Sequence, residues 1–131
     1  MIDMSSVDLP GFLDSLPVRF PELKDPIAKC GPVLIQINDV LSAYGQGYGY
    51  RLVEEFVLYH QFATSRLGRN SADVIDEQLV QKGLVKLRGT EAERKMLEDL
   101  GRICADRPRS SVVVNRLIAD LNELGSFQNS R

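Results

Sequence analysis

The residues that could do chemistry cluster in one stretch, Gly45 to Glu55, GQGYGYRLVEE. Three glycines fall within five residues, and Arg51 follows them at the mouth of an apolar-periodic segment. Glycine stops a helix by adopting a left-handed conformation that other residues avoid. The N–H groups that open the next helix lack intrahelical partners and attract anions. A guanidinium beside them adds a charged fork that matches phosphate oxygens. The chemistry on offer is therefore phosphate binding by Arg51, carried on a turn built by Gly47, Gly49 and Tyr50. The competing reading is a helix–helix connector with a solvated arginine. No catalytic nucleophile or acid–base pair stands out: there is no Ser–His–Asp or Cys–His spacing and no G-x-x-x-x-G-K-[ST] loop.

Composition bounds the rest. At 131 residues, 44% of them hydrophobic and 26% charged, the chain has the size and balance of one ordinary globular domain. Sixteen basic against eighteen acidic side chains give a formal net charge of -2, which supplies no global field for nucleic acid. Cys30 and Cys104 match no zinc or redox spacing and fit small buried thiols of a reduced, cytoplasmic protein. His60 is the only histidine, so a structural metal site is not expected. No apolar run reaches the roughly 18 residues needed to cross a bilayer. The start, MIDMSSVDLPG, has neither the basic residues nor the apolar core of a secretory leader.

The elements that must position Arg51 are helical. Leu34, Ile37, Leu41 and Tyr44 recur at helical spacing after Gly31-Pro32, a proline placed for a first turn, and Gly45 supplies the stop. A second helix is expected over about 50–67, with Leu52, Val53, Phe56, Tyr59, His60 and Ala63 in a broad stripe that makes His60 a packed residue. Asn70 or Ser71 caps a third helix to about Lys82, and Gly83 closes it. Its acids Asp73, Asp76 and Glu77 suit the positive end of the helix dipole better than a metal.

Leu84 to Gly89 reads as a short extended stretch that would point Lys86 and Arg88 the same way. Thr90 with Glu93 forms a capping box for a fourth helix. Pro108 then breaks the chain, Ser110 or Ser111 caps the last helix, and Gly125 ends it. The tail from residue 126 is expected to fray unless Phe127 folds back as an apolar contact. Residues 1–31 carry Pro10, Pro17, Pro21 and Pro26 and are expected as an extended arm or linker with one short turn of helix at Gly11–Leu16. The expected fold is therefore all-α: about five helices bundled over 32–127, a Pro-rich arm before them and a frayed tail at 128–131.

Two motifs carry a resemblance: Gly49-Tyr50-Arg51, and Gln81-Lys82-Gly83-Leu84-Val85-Lys86-Leu87-Arg88-Gly89. Together with INDVL before them and PRSSVVVNRLIADLNELGSF after them, they resemble the C-terminal end of McrB-like AAA+ ATPases, the NTPase subunits of 5-methylcytosine-type restriction systems. The similarity covers roughly residues 33–127. Val85 stands where that family has proline, and the Walker A lysine, the Walker B acid pair and the arginine finger are not present.

The resemblance implies the helical lid of such an ATPase, with the motor core in the same or a separate chain, contacts to a neighbouring subunit or homo-oligomer, and ATP or GTP with Mg bound in a complete parent protein. The chain alone would hold no cofactor. The resemblance also implies that Arg51 acts as sensor 2 toward the γ-phosphate. Lys82, Lys86 and Arg88 would form a basic edge for a neighbouring subunit or nucleic acid, or a solvated edge, which is the favoured choice.

Two further classes remain. One is a free-standing helical adaptor. The other is a helix-turn-helix in which Asp106 to Ser110 is the turn and Arg107, Arg109 and Arg116 touch phosphates. The acidic net charge weighs against the latter.

Overall fold

The first apolar set, Leu9, Leu13 and Leu16, lies at i, i+4, i+7, and these residues face inward from a helix, α1 (Leu9–Arg19). The computed structural model describes residues 8–129. After α1 comes a short 3₁₀ turn, Pro21–Leu23, then α2 (Lys24–Ser42), α3 (Tyr50–Ser65) and α4 (Ser71–Gln78). A wide π-type turn, Leu79–Gly83, leads to a short strand, β1 (Arg88–Thr90). The chain closes with α5 (Arg94–Ile103), α6 (Pro108–Leu124) and β2 (Ser126–Gln128). The fold is all-α, with six α-helices and one two-stranded sheet among the described residues.

The chain divides into two units, one ending at Ile75 and the other beginning at Asp76. In the first, α1 packs on α2 and α2 on α3. Its core gathers Leu16, Leu34, Ile37, Val53 and Phe56, all fully buried. In the second, α5 packs on α6 and α6 on β2. Leu79, Leu84, Met96, Leu97, Leu100 and Leu117 are buried there.

Residues 8–31, expected as an extended arm with a single helical turn at Gly11–Leu16, are helical through most of their length, and residues 1–7 lie outside the described residues. The prolines do not prevent this because of where they fall. Pro10, Pro21 and Pro26 sit in first turns, where a backbone N–H has no intrahelical partner to lose. Pro17 and Pro32 do lie inside helices. Each forfeits a hydrogen bond at a cost of about 3 kcal/mol, which the buried leucines on the same helices offset. The helix expected to open at Gly31-Pro32 thus begins at Lys24.

Three other boundaries move. Gly83 has no left-handed conformation; positive φ occurs only at Gly45, Gly68 and Gly125 among the described glycines. The helix through Gln78 instead relaxes into the π-type turn, closed by Leu84 N–H donating to the Leu79 carbonyl at 2.7 Å. Pro108 starts α6 at its first position rather than breaking the chain, which makes Ser110 an interior residue of the first turn and not its cap. Residues 84–87 form a turn, so only Arg88 of the expected basic pair lies on a strand.

The tail does not fray at its start. β2 pairs antiparallel with β1 in the register Arg88↔Gln128, Gly89↔Phe127, Thr90↔Ser126, and Phe127 is buried. Asn129 continues the contact, its N–H donating to the Leu87 carbonyl at 2.9 Å, while residues 130 and 131 lie outside the described residues. The capping box forms as expected, with the Glu93 side chain accepting from the Thr90 N–H at 3.3 Å. Glu93 folds back so closely that a Cβ at position 89 would lie 2.7 Å from its own Cβ, and glycine is required there.

Candidate functional site

Arg51 is positioned by the end of α2, the glycine turn and the start of α3. At the end of α2 the Gly45 N–H donates to the Ser42 carbonyl at 3.2 Å and the Gln46 N–H to the Leu41 carbonyl at 3.0 Å. This crossed pair is a Schellman closure, and it requires the left-handed residue that Gly45 supplies at φ 72°. Gly47 then passes against α2: a Cβ there would lie 2.4 Å from Ser42 Oγ and 3.1 Å from Asn38 Oδ1. Asn38, buried on α2, accepts the Tyr48 N–H at 2.7 Å, and the Tyr48 side chain is itself buried. The turn is thus tied to α2 from both sides and is not a loose connector.

Gly49 is extended (φ -85°, ψ 163°) and opens α3 at Tyr50. No side chain caps this end of the helix. Arg51, in the first turn, is 93% exposed along its side chain and reaches back to Glu55 Oε1 at 3.3 Å. An exposed i, i+4 pair of this kind is worth a few tenths of a kcal/mol and releases the guanidinium readily. Tyr50, the other residue of the turn, stacks on Phe12 of α1 with ring centroids 4.5 Å apart. One face of α3 continues from Arg51 through Glu55 to Leu58 and Phe62, both exposed large apolar side chains.

His60 is packed, as its stripe implied. Its Nε2 lies 2.7 Å from Ser71 Oγ, while Nδ1 is buried without a hydrogen-bond partner. Burial first, and then the Lys29 ammonium, hold the imidazole below its ordinary value; Asp25 opposes them. A neutral ring donating from Nε2 leaves only a bare acceptor at Nδ1, whereas protonation would strand an N–H there.

The second unit holds a site that the sequence did not disclose. Asp76, read with Asp73 and Glu77 as an acid suited to the dipole of its own helix, is buried. Its carboxylate accepts the Arg109 N–H at 2.9 Å, the Ser110 N–H at 2.8 Å and the Ser110 hydroxyl at 2.6 Å. These are the unpaired donors at the start of α6, so Asp76 caps that helix from α4, outside its own sequence neighbourhood. Burial alone would raise this carboxyl, but the hydrogen bonds from Ser110 and Arg109 outweigh it and hold it below 3.8. Only a pairing 34 residues apart could have signalled this contact. Burial also pushes the Cys104 thiol up to about 11, which makes it a poor nucleophile.

Of the basic residues, Lys82 lies half-buried in the π-type turn, Lys86 is exposed in the following turn and Arg88 is exposed on β1, so the three share no single edge of regular structure. Arg109 is paired with Glu77 at 3.0 Å and Arg116 with Asn129, so two of the three arginines proposed for phosphate contact in a helix-turn-helix already have acceptors. Arg116 also borders a groove of about 420 Å³ floored by Val80, Val85 and Val113. No group of three or more His, Cys, Asp or Glu side chains among the described residues could hold a metal ion. No helix among them is long and apolar enough to cross a membrane.

The model of a family described as "Domain of unknown function (DUF8727)" matches residues 12–127. The chain belongs to this family. No curated protein and no solved structure matches it. The DUF8727 span begins at Phe12, the ring that stacks on Tyr50, and ends at Phe127, the buried residue of β2. The matched span takes in α1 from Phe12 onward, the glycine turn and the helices that follow.

Proposed function

We propose that this chain is the helical lid of an AAA+ NTPase of restriction or defence type, cytoplasmic, with Arg51 as the residue that meets the nucleotide phosphate. One observation carries the reading: an exposed guanidinium, held only by Glu55, stands in the first turn of a helix without a side-chain cap, on a turn tied down by Asn38, Ser42 and Gly45. An arginine held only by an exposed i, i+4 partner exchanges that partner for a phosphate at little cost. Backbone N–H groups and guanidinium then converge on one anion. The motor core, with ATP or GTP and Mg, comes from the same or another chain. The apolar residues Leu58 and Phe62 lie on the face of α3 that carries Arg51 and offer that core a surface to close on.

The same apolar stripe would serve a free-standing helical adaptor, and nucleotide chemistry separates the two. In calorimetry with Mg-ATP and Mg-GTP the chain alone is expected to show no tight binding and no turnover; tight binding with turnover by the isolated chain overturns the lid reading. In the ATPase that contains or recruits this chain, Arg51→Ala is expected to lower kcat by about 10²–10³, the effect of removing one preorganised donor to developing charge. An unchanged kcat would leave the adaptor as the better account.

A further inference from the structure

The stack between Tyr50 and Phe12 joins two helix starts that are 38 positions apart in the chain. Ring centroids lie 4.5 Å apart with planes at 29°. The Tyr50 hydroxyl accepts a hydrogen bond from the Asp8 N–H at 3.2 Å. Asp8 is also the cap of α1: its Oδ1 accepts the Gly11 N–H at 3.0 Å and its carbonyl accepts the Phe12 N–H at 3.0 Å. A Cβ at position 11 would lie 2.3 Å from Asp8 Oδ2, so a side chain there would push the capping carboxylate aside. One phenol therefore holds the first turn of α1 and opens the first turn of α3, immediately before Arg51. The contact is partly exposed at Tyr50, so it breaks without opening the core beneath it.

We propose that Tyr50 is a positioning residue, clasped by Phe12 and Asp8, which couples α1 to the turn that carries Arg51. Displacement of α1 then changes how firmly the Arg51 turn is held. The consequence for phosphate contact rests on the lid reading; the coupling itself is a property of this chain.

Amide hydrogen exchange on the chain tests the coupling directly. The Val53 N–H closes the first turn of α3 onto the Gly49 carbonyl at 3.4 Å and reports whether that turn is formed. Phe12→Ala leaves the sequence of α3 untouched and improves the helix propensity of α1. It is expected to speed exchange at Val53 by about threefold to tenfold, the range for losing one aromatic pair, with exchange at Phe56 and Val57 unchanged. Phe12→Tyr restores the rate. Tyr50→Phe keeps the stack but frees the Asp8 N–H, and speeds exchange at Phe12 more than at Val53. Should Phe12→Ala disturb the whole unit, Phe12→Leu gives the same comparison with the apolar bulk kept. Unchanged exchange at Val53 in a folded Phe12 variant overturns the proposal.

In the nucleotide-hydrolysing assembly, Phe12→Ala is expected to lower kcat less than Arg51→Ala does, with KM unchanged. If Arg51→Ala is silent while exchange remains coupled, the lid reading fails and the clasp stands. If Arg51→Ala lowers kcat and Phe12→Ala changes neither kcat nor exchange, the clasp fails and the lid reading stands.

Discussion

The starts of α3 and α6 face the same electrostatic problem and resolve it in opposite ways. Each begins with backbone N–H groups that no preceding carbonyl can accept and with the positive end of a helix dipole. At α6 a buried carboxylate, Asp76, takes the Arg109 and Ser110 N–H groups and the Ser110 hydroxyl as well. At α3 no side chain caps the helix, and the nearby charge is a cation, Arg51, pointing into solvent. The first arrangement completes a core. The second leaves its donors to water. The difference identifies Asp76 as structural and Arg51 as available.

That contrast can be broken most easily at Asp76. Asp76→Ala leaves buried donors without an acceptor and is expected to destabilise the chain by about 3 kcal/mol in urea unfolding. A loss no larger than that of a surface substitution would remove the structural side of the contrast. Acid sharpens the same point. Because the folded carboxyl titrates below its ordinary value, the cap contributes fully above the ordinary carboxylate range and is lost as pH falls through the lower folded value. Asp76→Asn is expected to flatten this acid limb of the stability curve.

Gly47→Ala probes the rigidity of the turn on the other side. Its methyl would meet Ser42 Oγ and Asn38 Oδ1, and a cost of about 1–3 kcal/mol is expected from thermal unfolding. A neutral or stabilising outcome would mean that the turn is loose and Arg51 is not held.

His60 sets a smaller effect. Its folded imidazole resists protonation, so stability holds above the ordinary value of 6.5 and declines as pH falls below it. His60→Leu should abolish the decline that sets in below the ordinary imidazole value, read from denaturant midpoints. The smallest change belongs to Arg51→Ala, expected within about 0.5 kcal/mol of the parent by the same unfolding assay. A larger loss would make Arg51 structural and erase the contrast between the two helix starts.

The pattern of the chain made much of this legible. The stripe from Val53 to Ala63, the Thr90–Glu93 box and the left-handed stops at Gly45 and Gly125 are local statements about periodicity and backbone freedom, and each is realised. The prolines of residues 8–31 misled because a proline's effect depends on its place in the helix. The i, i+4, i+7 leucines of α1 were the stronger signal there. Gly83 misled because the helix before it widened rather than reversed.

Sequence by itself settled the all-α class and the place of Arg51 after a glycine turn, since both follow from contacts within a few residues. Only the tertiary structure decided which helix starts are capped and by what. Asp76 reaches Ser110 across 34 positions and Tyr50 reaches Asp8 across 42. No local periodicity encodes such pairings, because they depend on where packing of the apolar faces brings distant backbone donors.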